Sequence, residues 1–212
     1  MSTMLSIAEI LHLSPVIPVV TIEDAASAPD LARALVRGGI RVLEITLRTA
    51  QALAAIEEVA RAVPEIRVGA GTVLSVGDLQ RSADAGAAFA ISPGATPDLL
   101  AAGASFRIPY LPAVATASDL MAGFAAGYRH FKLFPANVAG GVAALKAFHG
   151  PFPEARFCPT GGVSLQTAGS YLALPNVLCV GGSWITPPEL LRRRDWAEIE
   201  TLARQAAALR VR

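Results

Sequence analysis

Lys132 stands inside the run Arg129-His130-Phe131-Lys132-Leu133-Phe134-Pro135-Ala136-Asn137, with aromatic rings on both sides. Lysine is normally a surface residue, because burying an ammonium without a partner is costly. Side chains alternate along a strand, so Lys132 faces opposite to Phe131 and Leu133. The run Val42-Leu43-Glu44-Ile45-Thr46-Leu47-Arg48 has the same pattern. Glu44 and Thr46 share one face, Leu43 and Ile45 the other, and Arg48 follows on the Glu44 side if the pleat persists. With Phe131 and Leu133 packed under helices, Lys132 and Glu44 enter one interior. A buried Lys–Glu pair can be structural, but desolvation can cancel its attraction, so a chemical role gains ground. Desolvation favours the neutral form of an interior amine, and a neighbouring carboxylate favours the ammonium. A neutral amine attacks a ketone and forms an imine, whose cationic nitrogen is an electron sink for cleaving a carbon–carbon bond two atoms away. Glu44 can move the protons, and Arg48 offers a planar fork for a substrate carboxylate. Lys132, Glu44 and Arg48 together point to imine chemistry on an α-keto acid.

Two glycine pairs mark a second half-site. One follows Pro159-Thr160 as Gly161-Gly162, and the other is Gly181-Gly182-Ser183. Backbone amides beside glycine can approach an anion closely, and helix N-termini favour negative charge. A single pair is equally well a tight turn. Two pairs, at the ends of the last two apparent strands, fit a phosphate site. Gly69-Ala70-Gly71-Thr72 and Ser92-Pro93-Gly94 close two further strands. They suit tight walls around a small substrate or plain turns.

These residues need a frame. Short apolar runs at 16–20, 42–46, 67–70, 88–91, 108–111, 130–134, 156–159 and 177–180 have strand length, and several are rich in β-branched residues. Helix-like stretches at 24–37, 50–63, 75–85, 96–103, 117–126, 141–148, 164–173 and 189–209 alternate with them, and 4–13 predicts an extra helix at the front. The alternation predicts a parallel sheet. Eight units in sequence favour closure into a (β/α)8 TIM barrel with an extra N-terminal helix, its active residues at the strand C-termini. An open doubly wound sheet is the alternative. No linker divides residues 1–212, which read as a single domain. Thr186-Pro187-Pro188-Glu189 reads as a capped helix start, and Ser164 as another cap.

Composition excludes several classes. Hydrophobic residues are 53% and charged residues 17% of the 212, which argues against disorder. A net charge of +1 offers no basic face for nucleic acid, and the triplet Arg192-Arg193-Arg194 reads as a solvated helix face. Cys158 and Cys179 read as buried thiols, and His12, His130 and His149 have no metal-ligand spacing. The uncharged stretch 157–188 is broken by Pro159, Gly161, Gly162, Gln166, Pro175 and Asn176, so it reads as strand, helix and strand rather than a membrane span. The N-terminus carries no secretory pattern.

The ordered motifs closely resemble the bacterial 2-dehydro-3-deoxy-phosphogluconate aldolases, including those also called 4-hydroxy-2-oxoglutarate aldolases. The match runs over nearly the whole chain: Val42 to Arg48 as quoted, Val68-Gly69-Ala70-Gly71-Thr72-Val73, Ile91-Ser92-Pro93-Gly94, Phe131-Lys132-Leu133-Phe134-Pro135-Ala136, Arg156-Phe157-Cys158-Pro159-Thr160-Gly161-Gly162 and Gly181-Gly182-Ser183-Trp184. The resemblance implies a (β/α)8 barrel, a cytoplasmic homotrimer and class I chemistry with no cofactor, through a covalent lysine imine without metal. It implies Lys132 as the imine former and Glu44 as the general acid/base. Arg48 and Thr72 would hold the pyruvate carboxylate, and Pro93 and Phe134 would shape its pocket. Thr160, Gly161, Gly162, Gly182 and Ser183 would hold the distal hydroxyl and phosphate end of a phosphorylated keto acid. The implied reaction is reversible cleavage of 2-dehydro-3-deoxy-6-phosphogluconate to pyruvate and glyceraldehyde 3-phosphate, the cleavage step of the Entner–Doudoroff pathway. Closely related readings are an aldolase preferring 4-hydroxy-2-oxoglutarate or the galactonate epimer. More distant ones are a phosphate-binding barrel isomerase or decarboxylase, and a trimeric module without activity. Two positions depart from the family pattern. Ala113 stands where many relatives have glycine, and Asn137 where many have an acidic residue. Val19-Val20-Thr21 lacks the arginine of galactonate-type relatives at the end of strand one, which favours the gluconate-type substrate.

Overall fold

The computed structural model describes residues 5–209. Nine strands and ten α-helices alternate along them. The strands are β1 Val16–Val20, β2 Val42–Thr46, β3 Arg67–Gly71, β4 Ala90–Ile91, β5 Tyr110–Leu111, β6 Ala113–Val114, β7 His130–Leu133, β8 Arg156–Pro159 and β9 Val180–Gly182. The helices are α1 Ile7–Leu11, α2 Ala28–Arg37, α3 Ala52–Ala62, α4 Val76–Asp84, α5 Pro97–Ala104, α6 Ala117–Ala125, α7 Gly141–His149, α8 Leu165–Leu172, α9 Pro188–Arg193 and α10 Trp196–Ala207.

Every strand pairing is parallel. One sheet runs β5-β4-β3-β2-β1-β9 and the other β6-β7-β8. Single-residue bridges, Phe157 to Val177 and Thr160 to Gly181, tie β8 to the segment that runs into β9. The result is an α/β fold on a curled parallel sheet. Nine strands appear where eight were expected because Pro112 interrupts the fifth. Leu111 pairs with Ile91 on one side, Ala113 with Lys132 on the other, and Pro112 between them has no N–H for a ladder. Its carbonyl still accepts from the Lys132 N–H at 2.9 Å.

The alternation sorts the strands into two faces. Leu43, Ile45, Phe131, Leu133 and Phe157 belong to the larger apolar cluster, packed under the helices. Phe131 and Phe157 lie 6.2 Å apart between ring centroids, within the range of favourable aromatic packing. A second cluster lines the inner face: Ile17, Val42, Phe89, Ile91, Leu111, Cys158 and Cys179, joined by Ile10 and Leu11 of α1. The front helix therefore stoppers the N-terminal end of the curled sheet. It is fixed there by a capping box in which the Ser6 N–H donates to Glu9 at 2.7 Å. Met4, the first residue of the expected front helix, lies outside the described residues.

Two expectations about the C-terminal region need correction. The single helix expected over 189–209 is two, because Arg194 adopts a left-handed φ of 52° after α9 and Asp195 then caps α10. Thr186 does not cap α9. Pro187 occupies the N-cap position, and the buried Thr186 hydroxyl has no hydrogen-bond partner among the described residues. Ser164 does stand at the N-cap of α8, where its N–H donates to the Thr167 hydroxyl at 2.9 Å.

Candidate active site

Lys132 and Glu44 meet inside the curled sheet. Lys132 Nζ donates to Glu44 Oε1 at 3.0 Å and lies 3.5 Å from Oε2. The side chains are 5% and 2% exposed. The pair rests directly on the apolar inner layer, since Val42 lies two residues before Glu44 and Cys158 is the β8 neighbour of Lys132. Gly71 makes room for it, because a Cβ there would run into Glu44 Oε1, Cγ and Cδ. On the open side, Lys132 Nζ sits 5.1 Å from the centre of the Phe134 ring, within cation–π range.

Above the pair, side chains from several strand ends converge. Arg48 does not continue the β2 pleat. Its N–H turns back to the Thr46 carbonyl at 2.8 Å, which leaves the guanidinium exposed at the rim. Arg48 Nε donates to Thr72 Oγ1 at 3.2 Å. Thr72 holds a φ of +58°, an outlier for a β-branched residue. Strain of this kind persists only where the surroundings impose it and gathers at functional sites.

Two cavities share Phe134. The smaller, about 120 Å³, is lined by Pro93, Ala113 and Phe134 together with the ends of β6 and α6. Ala113 is the β6 neighbour of Lys132, so its methyl narrows the space beside the amine. The larger, about 660 Å³, is lined by Thr46, Arg48, Thr160, Gly161, Gly162, Gly182 and Ser183. Lys132 and Glu44 line neither cavity, and the smaller one is also bounded by Phe131, which faces the helices on β7. Gly161 and Gly162 have φ values of 98° and 73°, which side-chain-bearing residues adopt only with strain. A Cβ on Gly162 would strike the Asn137 side chain, and the Asn137 N–H donates to the Gly161 carbonyl at 3.1 Å. Asn137, flagged as a departure, thus braces the glycine turn. The Gly162 and Ser183 amides donate to no protein acceptor among the described residues.

Several cavity residues escaped the sequence reading, Thr21, Arg192 and Arg194 among them. Thr21 lines the larger cavity, and its hydroxyl lies 2.9 Å from Thr46 Oγ1, which itself donates to the Val20 carbonyl at 3.1 Å. Thr21 follows a strand with no polar neighbour to draw attention. The arginine triplet is not a uniform solvated face: Arg192 and Arg194 line the same cavity. Their helical spacing to Leu191 and Pro188 was the available signal. Cys158 and Cys179 are free, buried thiols, and burial pushes the Cys179 thiol well up. Among the described residues, no cluster of His, Cys, Asp and Glu suits a metal ion, and no helix is long and apolar enough to cross a membrane.

Comparisons with known proteins assign the chain to a family. A family model described as "KDPG and KHG aldolase" matches residues 7–202. The 2-dehydro-3-deoxy-phosphogluconate aldolase of Pseudomonas aeruginosa is 51% identical over 191 residues, covering 90% of this chain and 87% of that protein. The KDPG aldolase of Legionella pneumophila, solved with pyruvate captured as a covalent carbinolamine intermediate, superposes with a TM-score of 0.93 at 48% identity, over 95% of this chain and 98% of that one. The 2-keto-3-deoxy-6-phosphogluconate aldolase of Zymomonas mobilis, solved with 3-phosphoglycerate, gives 0.92 at 45% identity over 98% of each chain. A family match across nearly the whole chain, over strand ends that bring a buried lysine and glutamate together, means that this chain belongs to the KDPG and KHG aldolase family.

Proposed function

We propose that this chain is a class I aldolase that reversibly cleaves 2-dehydro-3-deoxy-6-phosphogluconate to pyruvate and glyceraldehyde 3-phosphate through an imine on Lys132. The observation that carries this reading is the buried contact of 3.0 Å between Lys132 Nζ and Glu44 Oε1. The amine attacks the C2 carbonyl to give a carbinolamine, and loss of water gives the iminium. Glu44 takes the proton of the C4 hydroxyl. The C3–C4 bond then breaks, its electrons move into the iminium, and the aldehyde leaves an enamine behind. Protonation at C3 and addition of water return the amine and release pyruvate. The covalent carbinolamine of the Legionella pneumophila relative supports the first step. Electron withdrawal comes from the iminium nitrogen, so the reading assigns the reaction no metal cofactor.

Arg48 and Thr72 hold the carboxylate in this reading, Pro93 and Phe134 shape the pyruvate end, and Thr160, Gly161, Gly162, Gly182 and Ser183 hold the distal end. The larger cavity and its free Gly162 and Ser183 amides favour a phosphorylated acid. The 3-phosphoglycerate bound by the Zymomonas mobilis relative agrees. Because the family model also carries the name KHG aldolase, 4-hydroxy-2-oxoglutarate is a second substrate to test. The galactonate epimer is a third. The strand bridges support a closed (β/α)8 barrel with α1 as the extra N-terminal helix, the whole chain forming one domain. The assembly is read as a cytoplasmic homotrimer, for which the exposed Leu74, Met121 and Val138 are interface candidates.

Incubation with pyruvate, reduction with borohydride and peptide mass mapping test the reading. The expected adduct is on Lys132. A folded protein with Lys132 unmodified, or turnover that survives Lys132→Ala, overturns it.

A further inference from the structure

We propose that Arg192 is a specificity-determining residue that selects the phosphorylated end of the substrate. The proposal rests on the aldolase reading and adds a residue to it from the arginine triplet. In α9, residues 188, 191 and 192 fall on one helical face, because side chains three and four apart are neighbours. Pro188, Leu191 and Arg192 all line the large cavity. Leu190 turns to the core, and Arg193 pairs with Asp195 at 3.1 Å. The helix therefore presents one cation of its own to the cavity.

That cation is uncommitted. Among the described residues, Arg192 makes no ion pair and no side-chain hydrogen bond. The other cavity arginines are engaged: Arg48 donates to Thr72, and Arg194 pairs with Asp24 at 2.8 Å. Three arginines and two carboxylates, Glu23 and Asp24, line the cavity, and the Arg194–Asp24 pair cancels one of each. Arg48 sits at the β2 end, bonded to Thr72. Arg192 sits on the element that follows Gly182-Ser183, where the Ser183 amide donates to no protein acceptor among the described residues. Beside the Ser183 amide, the unpaired guanidinium of Arg192 adds a planar fork of charged donors, which matches a phosphate dianion better than a sugar hydroxyl. The left-handed turn at Arg194 and its pair with Asp24 fasten the end of α9 to the β1–α2 loop, which holds Arg192 over the cavity.

Two measurements test this. The first is pyruvate release from 2-dehydro-3-deoxy-6-phosphogluconate and from its unphosphorylated counterpart. Arg192→Ala should raise KM about tenfold for the phosphorylated acid with kcat kept, and leave kcat/KM for the unphosphorylated acid unchanged. Arg192→Lys should recover part of the loss, and the alanine variant should show a flatter dependence on salt. The second is calorimetric binding of glycerol 3-phosphate, which needs no turnover. The wild-type protein should bind it about tenfold more tightly than Arg192→Ala. Equal affinity, or an equal loss on both acids, overturns the proposal and identifies Arg192 as a solvated cation of the last helical turn. The borohydride adduct on Lys132 remains in that case, so failure here is separable from failure of the aldolase reading.

Discussion

A methyl group at position 71 would occupy the space where Glu44 keeps its carboxylate. Gly71→Ala therefore displaces a buried acid without touching the amine it serves. A shift of about 1 Å at a reacting group can cost on the order of 10²-fold in rate. The expected outcome for Gly71→Ala is a kcat lowered by about that factor with the far-ultraviolet spectrum unchanged. A variant that keeps its kcat would mean that Glu44 tolerates displacement and does not set the proton path. Thr72, the next residue, shows the same economy. Its backbone is strained into the left-handed region, and its hydroxyl is thereby brought to Arg48. Site chemistry at this scale depends on what small residues leave empty as much as on what polar ones supply.

At the scale of elements, α9 ends where Arg194 takes a conformation that suits glycine. The left-handed region costs a side-chain-bearing residue about 1–2 kcal/mol. The compensating Arg194–Asp24 pair has side chains 62% and 51% exposed, a setting in which ion pairs contribute about 0–1 kcal/mol. Arg194→Gly should therefore raise stability by about 0.5 kcal/mol, read as a higher denaturant midpoint at unchanged slope. A lower midpoint would show that the ion pair outweighs the strain. The sequence carried the outline of these elements well, because strand alternation put Phe131 and Leu133 outward and Lys132 inward, as found. It carried Arg48 less well, since the turn after Thr46 breaks the pleat on which its placement rested. Pro112 was visible as a residue but not as the point where one strand changes partners, because pairing is a property of neighbours distant in sequence. Thr21 and Arg192 were missed for the same reason. Their significance lies in which cavity they face, and only the curl of the sheet decides that.

For the whole molecule, burial of titratable groups sets the window of stability. Burial holds His130 below its ordinary value, with Arg156 and His12 adding to the effect. As pH falls through about 6.5, the unfolded chain takes up that proton first, so stability declines on the acid side. Burial pushes Cys179 well up and Tyr110 up to about 12, the latter opposed by its hydrogen bond to Ser92. As pH rises past the ordinary thiol and phenol values of 9.0 and 10.0, the unfolded chain releases those protons first, and stability declines again. The melting temperature should plateau between about pH 6.5 and 9, and His130→Gln should flatten the acid shoulder. An unchanged acid shoulder would assign that branch to the carboxylates alone. The front helix has a kinetic consequence of its own. With Ile10 and Leu11 closing the N-terminal end of the strands, traffic to Lys132 runs past Phe134 at the opposite mouth. In the proposed reading the fragment bearing phosphate lies nearer that mouth, with pyruvate deeper and bonded to the amine. Departure in that reading is sequential, aldehyde first and pyruvate last, so pyruvate, the last to leave, competes with the keto acid for the free enzyme.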